Sequence, residues 1–448
     1  MKITRLWAQG YRSLRDVSLN DLGDCVVFYG PNGSGKSNVL RGIQTLLRAA
    51  AVWAGYERPG RARFAKALLD AQVLDADTPH LNDLPPAETV LGVELSAGAE
   101  GRRETAHALG RTLHARIRLE LRVVWVERRP FEAELGVWFD DVPWEQAELT
   151  AQKTEPGALA RATVARIAQV LYWPVDAARI LRDDERIREG DGTDADDPAA
   201  EALRSGRPQT ATFYAKNVSD PAQRARFEHF QRVVSETLKL PPLDVAWDPR
   251  SGLLDLRQPL RHAPDRYAVS MRNAGLGVEQ VVSIAASLVF ARASVVAIEE
   301  PEAHLHAPTT GRALRRLLAS LVTAPSGQQP MLDQLFVATH SNLFDLDPNG
   351  YWDVSLGEDG ATRIERKPLH VLYEHHLYEP GPARRILMDA LARAGDRVVF
   401  RAKDGTRMTA QEMIHHLDED TDAAVEFLRD AHVAALTVLR VRARGDEP

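Results

Sequence analysis

The sequence contains little cysteine and no long apolar run. Cys25 is the single cysteine, which excludes disulfides within the chain and zinc sites built from several thiolates, and favours a reducing compartment. No run of 18 or more apolar residues occurs, so no segment has the length of a membrane-spanning helix. The N-terminal segment MKITRLWAQGYRSLRD also lacks the apolar core of a signal peptide. These absences predict a cytoplasmic protein with no membrane partner.

Lysine is scarce relative to arginine, with 8 Lys against 48 Arg. The formal net charge is −7, and this balance neither supports nor excludes nucleic acid as a partner, because a basic patch can lie on an acidic protein. Internal repeats and sustained heptads are also missing, which excludes a long coiled coil. What is present is a length of 448 residues with 44% hydrophobic residues, enough for two or three globular domains.

Hydrophobic periodicity divides the chain into strand-rich and helix-rich segments. Strands are predicted within 1–20, at 24–29, in an antiparallel meander over 89–141, and at 295–298, 335–339 and 397–400. Helices are predicted at 39–50, 158–171 and 221–238. The charged, Asp- and Gly-rich segment 183–209 is predicted to be a loop.

A glycine-rich segment follows the strand at 24–29. The residues GPNGSGKS, at 30–37, fit the phosphate-loop pattern G-x-x-x-x-G-K-[ST]. Glycines let backbone N–H groups cradle the β-phosphate, and the following helix adds the positive end of its dipole. Lys36 is expected to neutralise the β/γ oxygens, and Ser37 to ligate Mg²⁺; the competing interpretation is a glycine-rich turn before a helix. The predicted nucleotide-binding residues here are Gly30, Asn32, Gly33, Ser34, Gly35, Lys36, Ser37 and Asn38.

Two carboxylates stand at the end of the strand predicted at 295–298. Glu299 and Glu300 follow four apolar residues, and carboxylates at the end of a buried strand are costly unless they serve a cation or a proton. The ligand crevice of an open α/β sheet lies outside such strand ends. We expect Glu299 to join the Mg²⁺ shell and Glu300 to polarise the attacking water. The alternative is an acid-rich helix N-terminus that the dipole favours.

Four segments in order resemble the motifs of bacterial ABC/SMC-like "AAA family" ATPases: GPNGSGKSN, then NAGLGVEQ (273–280), VVAIEEPEAHLH (295–306) and VATHSNLF (337–344). This group resembles RecF, the ATPase half of OLD nucleases and the stand-alone ATPases of anti-phage systems. The clear match covers 1–50 and 265–345. The resemblance implies ATP and Mg²⁺ as cofactors, and a homodimer in which two subunits sandwich two ATP molecules head to tail.

The resemblance also implies roles for individual residues. Asn273, Gly275 and Gly277 match the signature segment, which caps the γ-phosphate bound by the other subunit. His340 matches the switch histidine that contacts the γ-phosphate, and Arg12 matches an arginine that approaches the nucleotide. The dimer interface is implied to include Leu305 and His306, at the D-loop position. Each role has a structural alternative. The signature segment is then a glycine turn before a helix, His340 a hydrogen-bonded structural histidine and Arg12 a solvated surface arginine.

The predicted fold is α/β: an ABC-type P-loop NTPase head with a mixed sheet, an antiparallel β lobe and helical insert, and a small α+β C-terminal extension. The expected boundaries are 1–50 and 265–365 for the ATPase core, 51–264 for the inserted lobe and 366–448 for the extension. Within the extension, 409–412 reads as a capping box that opens a helix. Asp418 and Asp420 form a D-x-D between helix-like stretches, which favours a connecting turn over a nuclease site.

Tryptophans in the meander have two interpretations. Trp125, Trp138 and Trp144 lie in or beside it. Aromatic side chains on a sheet can stack on nucleobases, whereas core packing is the commoner role.

The functional prediction is an ATP-binding and hydrolysing switch that controls a partner effector, a nuclease or toxin encoded nearby, in anti-phage defence. A first alternative is a RecF-like repair or maintenance ATPase with DNA as its partner. A second is the ATPase subunit of a transporter, which the EEPEAHLH form and an insert of roughly 220 residues before the signature segment disfavour.

Overall fold

The computed structural model shows two compact units, Met1–Arg366 and Lys367–Pro448. Within the described ranges, no helix has both the length and the apolar character needed to cross a bilayer. The described residues are 1–56, 60–80, 87–96, 116–145, 156–175, 197–204, 207–217, 220–248, 250–251, 253–259, 268–273, 275–291, 293–303, 305, 310–322, 332–369, 371, 388, 390–401, 405–418, 421, 423–424, 426–428 and 430–431.

A six-stranded mixed sheet forms the centre of the first unit, in the order β15-β14-β3-β13-β12-β8. Its strands are β3 (Cys25–Tyr29), β8 (Tyr172–Val175), β12 (Val295–Glu299), β13 (Gln334–Thr339), β14 (Tyr351–Leu356) and β15 (Thr362–Lys367). The strands β14, β3, β13, β12 and β8 run parallel to one another. The turn between β14 and β15 is short, so that pair is antiparallel. The strands β3, β13 and β12 are almost wholly buried and mainly apolar, because both faces of the sheet are covered there. This confirms the strands predicted at 24–29, 295–298 and 335–339.

A second, antiparallel sheet forms the β lobe, in the order β2-β1-β4-β5-β6-β7. Its strands are β1 (Lys2–Tyr11), β2 (Leu14–Leu19), β4 (Ala87–Ser96), β5 (Arg116–Val126), β6 (Arg129–Phe139) and β7 (Val142–Pro143). The helices α1 (Lys36–Ala54) and α2 (Arg61–Asp70) share its hydrophobic core. The predicted meander is confirmed, and β1 pairs with β4, so the lobe begins at the start of the chain.

The tryptophans of the lobe separate by face. Trp125 and Trp144 are buried in the core, as core packing predicts. Trp138 is only half-buried, and the guanidinium carbon of Arg118 lies 3.9 Å from its ring centroid.

A helical part with its own hydrophobic core follows β8 in the sequence. Its helices are α4 (Pro198–Arg204), α5 (Pro208–Asn217), α6 (Pro221–Leu238), α7 (Leu276–Phe290) and α8 (Arg312–Val322). The helix α3 (Pro156–Val170) instead packs its buried residues into the core that the β lobe shares with α1. A small sheet, β9 (Asp244–Trp247), β10 (Leu254–Pro259) and β11 (Ala268–Ser270), completes the helical part.

The loop prediction for 183–209 is wrong where α4 forms. Asp197 Oδ1 accepts a hydrogen bond from the Ala200 N–H at 3.1 Å, and Pro198 occupies the first helical position. A capping aspartate followed by proline is a helix start signal, here overlooked because of the charged residues before it. Residues 183–196 lie outside the described ranges.

The second unit contains the hairpin β16 (Val398–Arg401) and β17 (Arg407–Thr409), followed by α9 (Ala410–Asp418). The capping box at its start is confirmed, because Thr409 N donates to Glu412 Oε2 at 2.8 Å and Glu412 N donates to Thr409 Oγ1 at 3.3 Å. Only one of the two strands was predicted. Asp420 lies outside the described residues.

Candidate active site at the carboxyl edge of the mixed sheet

The phosphate loop connects β3 directly to α1. Gly33 and Gly35 adopt positive φ angles of 81° and 102°, a region that glycine enters at little cost. Gly35 caps α1 without a side-chain hydrogen bond, and the first turn of α1 contains no acidic residue. The N–H groups and the dipole of this 19-residue helix are therefore left to an external anion.

Two positions of the loop require glycine, because other residues lie too close for a Cβ atom. A Cβ at Gly30 would lie 2.0 Å from the Val354 carbonyl oxygen, and one at Gly35 would lie 2.0 Å from Thr362 Oγ1. Both contacts come from the β14–β15 hairpin, which follows the loop by more than 300 residues in sequence. Glycine at these two positions lets the hairpin pack directly against the loop.

Polar side chains brace the loop from outside its own sequence. The Thr362 hydroxyl lies 2.6 Å from Ser13 Oγ and 2.9 Å from the Ser34 carbonyl oxygen. Asn38 Nδ2 donates to Ser13 Oγ at 2.8 Å, and Thr362 N donates to the Ser13 carbonyl at 2.7 Å. Sequence reasoning assigned no role to Ser13 or Thr362; Ser13 directly follows the predicted nucleotide contact Arg12, whereas Thr362 lies in none of the four matching segments.

Lys36 is folded back onto the loop. Its Nζ donates to the carbonyl oxygens of Gly30 at 2.7 Å and Pro31 at 2.9 Å. Burial lowers the pKa of Lys36, and the carboxylates of Glu300, Glu302 and Glu299 act in the opposite direction. The ammonium thus occupies the mouth of the cradle, in the field of the acidic strand end.

The predicted Mg²⁺ ligands are in direct contact. Ser37 Oγ donates to Glu299 Oε2 at 2.6 Å, across 262 residues of sequence. Glu299 is the last residue of β12, opposite Ala338 of β13, and Ser37 lies in the first turn of α1. A hydroxyl and one carboxylate beside a phosphate cradle fit Mg²⁺, which is usually held by one or two carboxylates together with substrate phosphates. The cradle, the uncapped helix and Lys36 likewise fit a nucleoside triphosphate.

Glu300 follows with a strained backbone. Its φ is 44°, in the left-handed region that glycine favours, and its N–H donates to the Ala338 carbonyl at 2.8 Å. Such conformations concentrate at active sites, where the surrounding structure maintains them. The turn places Glu300 beside the proposed metal ligand Glu299.

His340 is joined to a third carboxylate. His340 Nδ1 lies 3.1 Å from Glu302 Oε1, which also accepts from the His340 N–H at 2.9 Å and the Thr339 hydroxyl at 2.6 Å. Glu302 is mostly buried, and His340 is about half exposed. A carboxylate on Nδ1 leaves Nε2 as the ring nitrogen directed outward. Sequence reasoning missed Glu302, although it stands in the EEPE segment, two residues from Glu300.

The signature segment is exposed at the start of α7. Asn273 ends a short 3-10 turn, Gly275 is the residue before α7, and Gly277 lies in its first turn. Gly275 has an ordinary extended φ of −70°, and a Cβ there would meet no atom of the described residues within 4 Å. Ala274 and His306 lie outside the described residues, while Leu305 is half-buried.

Arg12 forms an ion pair with Asp75. Its Nη2 lies 3.3 Å from Asp75 Oδ2, its N–H donates to the Thr78 carbonyl at 2.9 Å, and its φ is 50°. The described contacts of Arg12 therefore orient it through the segment at 75–78, while the next residue, Ser13, contacts the loop braces. Its nucleotide contact stays a prediction.

Comparison with known proteins gives one family match. The family model described as "AAA domain, putative AbiEii toxin, Type IV TA system" matches residues 25–347, which include every predicted site residue except Arg12. No curated protein matches the chain.

Three SMC heads are among the solved structures that this chain resembles. One is the SMC head domain from Thermotoga maritima, at 13% identity and a TM-score of 0.42, covering 82% of this chain and 99% of that chain. Another is SmcHead bound to the C-winged helix domain of ScpA, at 16% identity and 0.48, covering 83% and 100%. A third is the Smc head domain with an extended coiled coil bound to the C-terminal domain of ScpA, derived from Pyrococcus furiosus, at 14% identity and 0.45, covering 87% and 99%.

Proposed function

Because this chain belongs to the family described as "AAA domain, putative AbiEii toxin, Type IV TA system", we propose that it is a Mg²⁺-dependent ATP hydrolase that acts as a nucleotide-controlled switch. The observation that carries the proposal is the 2.6 Å contact between Ser37 Oγ and Glu299 Oε2 beside the phosphate loop. It unites a loop that fits phosphates with a carboxylate that fits their metal.

The reaction follows from where the side chains stand. On ATP binding, Lys36 would exchange its two loop carbonyls for the β/γ oxygens, and Ser37 and Glu299 would hold Mg²⁺, whose charge would stabilise the negative charge that develops on the phosphates. Water attacks Pγ, the bond from Pγ to the β–γ bridging oxygen breaks, and ADP leaves. Glu300 accepts a proton from the attacking water or polarises it. His340, oriented by Glu302, directs Nε2 toward the γ-phosphate side of the site.

Closure of a head-to-tail homodimer is the second part of the proposal. Gly275 supports it, because neither its φ nor the described residues around it require glycine. Glycine costs conformational entropy relative to other residues, so its use here points to something outside the chain approaching closely. The exposed N-terminus of α7 suits a phosphate, which in a head-to-tail pair is the partner's γ-phosphate.

We further propose that the switch controls an effector encoded nearby, a nuclease or toxin, in anti-phage defence. The family's description names a toxin and a toxin–antitoxin system, which supports such a setting. Co-expression with the neighbouring gene product should protect cells against phage with the wild-type chain, and Lys36→Ala should abolish protection. Equal protection by both would contradict nucleotide control of the effector.

The catalytic assignment is tested with Glu300→Gln. This variant should retain ATP binding, accumulate as a dimer in light scattering, and lose turnover by about 100-fold or more, because the carboxylate that activates water is gone. Lys36→Ala should lose ATP binding itself. Normal hydrolysis by Glu300→Gln would remove Glu300 from its role, and steep, salt-sensitive stimulation by duplex DNA would favour the RecF-like alternative.

A further inference from the structure

A buried amide on α7 contacts the backbone that carries Glu300. Gln280 Nε2 lies 3.3 Å from the Glu300 carbonyl oxygen and 3.3 Å from the Pro301 carbonyl oxygen. Both partners are acceptors, so the amide nitrogen must be the group that faces them. Gln280 is only 2% exposed, so these bonds form away from competing water.

A buried amide at this position lowers the stability of the fold. The residues that follow Gln280 on α7 include Val281, Val282 and Ile284, all fully buried. Gln280 Oε1 is buried and has no hydrogen-bond partner among the described residues, and an unsatisfied buried acceptor destabilises a fold. A methionine would fill similar space without that penalty. The two bonds to the Glu300 turn are therefore the reason that the structure offers for an amide here.

The helix that carries Gln280 also carries the signature segment. Gly275 precedes α7, and five residues of helix separate it from Gln280 by about 7.5 Å along the axis. A rigid helix transmits a small shift at its N-terminus over that distance with little loss. The strained φ of 44° at Glu300 makes its carboxylate sensitive to such a shift, because the turn depends on its surroundings.

We propose that Gln280 is a positioning residue that sets the catalytic orientation of Glu300 and links it to the signature segment of the same chain. The inference rests on the proposed ATPase and its head-to-tail dimer. In that dimer, a γ-phosphate held by one subunit and docked on the other subunit's α7 adjusts the Glu300 turn of the subunit that contributes this helix. Gln280 thereby couples the occupancy of one nucleotide site to hydrolysis in the other.

The test replaces Gln280 with methionine and measures binding and turnover separately. Gln280→Met should bind ATP with unchanged Kd and should still dimerise with ATP, while kcat falls between about 10- and 100-fold, the effect of a slightly misplaced catalytic group. The dependence of rate on ATP concentration should also lose any cooperativity that the wild type shows. Gln280→Asn, which keeps the amide but shortens its reach, should behave alike and serves if the methionine variant does not fold.

Ser283→Ala is the matched control, because Ser283 is a second buried polar residue on α7. It should retain wild-type kcat. The inference is overturned if Gln280→Met and Gln280→Asn hydrolyse ATP like Ser283→Ala, or if they lose ATP binding and thermal stability along with kcat. Glu300→Gln, run in parallel, separates the two failures: an active Glu300→Gln defeats the proposed catalytic role, whereas an inactive one beside active Gln280 variants defeats only the positioning role.

Discussion

At the residue scale, the candidate site is a set of three glutamates with different tasks. Glu299 contacts Ser37 and fits a metal. Glu302 accepts hydrogen bonds from His340 and Thr339, so it is committed to orienting the histidine. Glu300 stands between them on a left-handed turn, and its carboxylate is the one that we propose acts on water. Environment, rather than residue type, assigns each carboxylate its role.

The backbone of Glu300 predicts a trade-off between stability and activity. Glu300→Gly should remove the cost of a left-handed side-chain-bearing residue, on the order of 1 kcal/mol, and abolish turnover. Glu300→Ala, which also lacks the carboxylate but keeps the strain, is the control. By thermal denaturation without nucleotide, the glycine variant should melt about 1–2 °C above the alanine variant. A lower melting temperature for glycine would show that the turn is not strained.

At the element scale, the sequence predicted features that depend on neighbouring residues and missed contacts between residues far apart in the chain. The phosphate loop, the strand ends and α6 follow from patterns within 20 residues, and the ABC-type P-loop identification is confirmed by the family match. The bracing by Thr362 joins residues more than 300 apart, and no local pattern marks a threonine in an ordinary hairpin. Likewise, the pairing of β1 with β4 is a tertiary choice, because alternation predicts strands but not their partners.

The β14–β15 hairpin should therefore control nucleotide affinity. Thr362→Val preserves the shape of the side chain and removes the hydroxyl that lies 2.9 Å from the Ser34 carbonyl. Since one net hydrogen bond is worth about 1 kcal/mol, the Kd for ATP should rise about 5-fold as the loop loosens. Ile364→Val, on the same strand, is the control and should bind ATP like the wild type. Unchanged ATP binding by Thr362→Val in a fluorescence titration would show that the brace does not shape the loop.

At the scale of the whole molecule, we propose that each chain carries two halves of a composite site, on separate elements. The phosphate loop lies at the carboxyl edge of the mixed sheet, whereas the signature segment lies at the exposed start of α7. If the halves complete each other only between chains, single variants that destroy different halves should be inactive alone. Gly275→Glu is suited to this purpose, because the backbone φ at this position is ordinary and no described residue lies within 4 Å of an added Cβ.

Mixing two inactive variants tests that arrangement directly. Lys36→Ala lacks a working phosphate loop, and Gly275→Glu places a negative charge where the partner's γ-phosphate is proposed to dock. A mixed dimer contains one complete site. The Gly275→Glu chain supplies its phosphate loop, and the Lys36→Ala chain supplies its signature segment. When equal amounts pair at random, half of the dimers are mixed and each mixed dimer has one complete site of two, so the mixture should recover about one quarter of the wild-type rate per chain. If the variants are each inactive and the mixture is also inactive while mixed dimers form, as measured by light scattering and differential tagging, the shared-site arrangement is wrong.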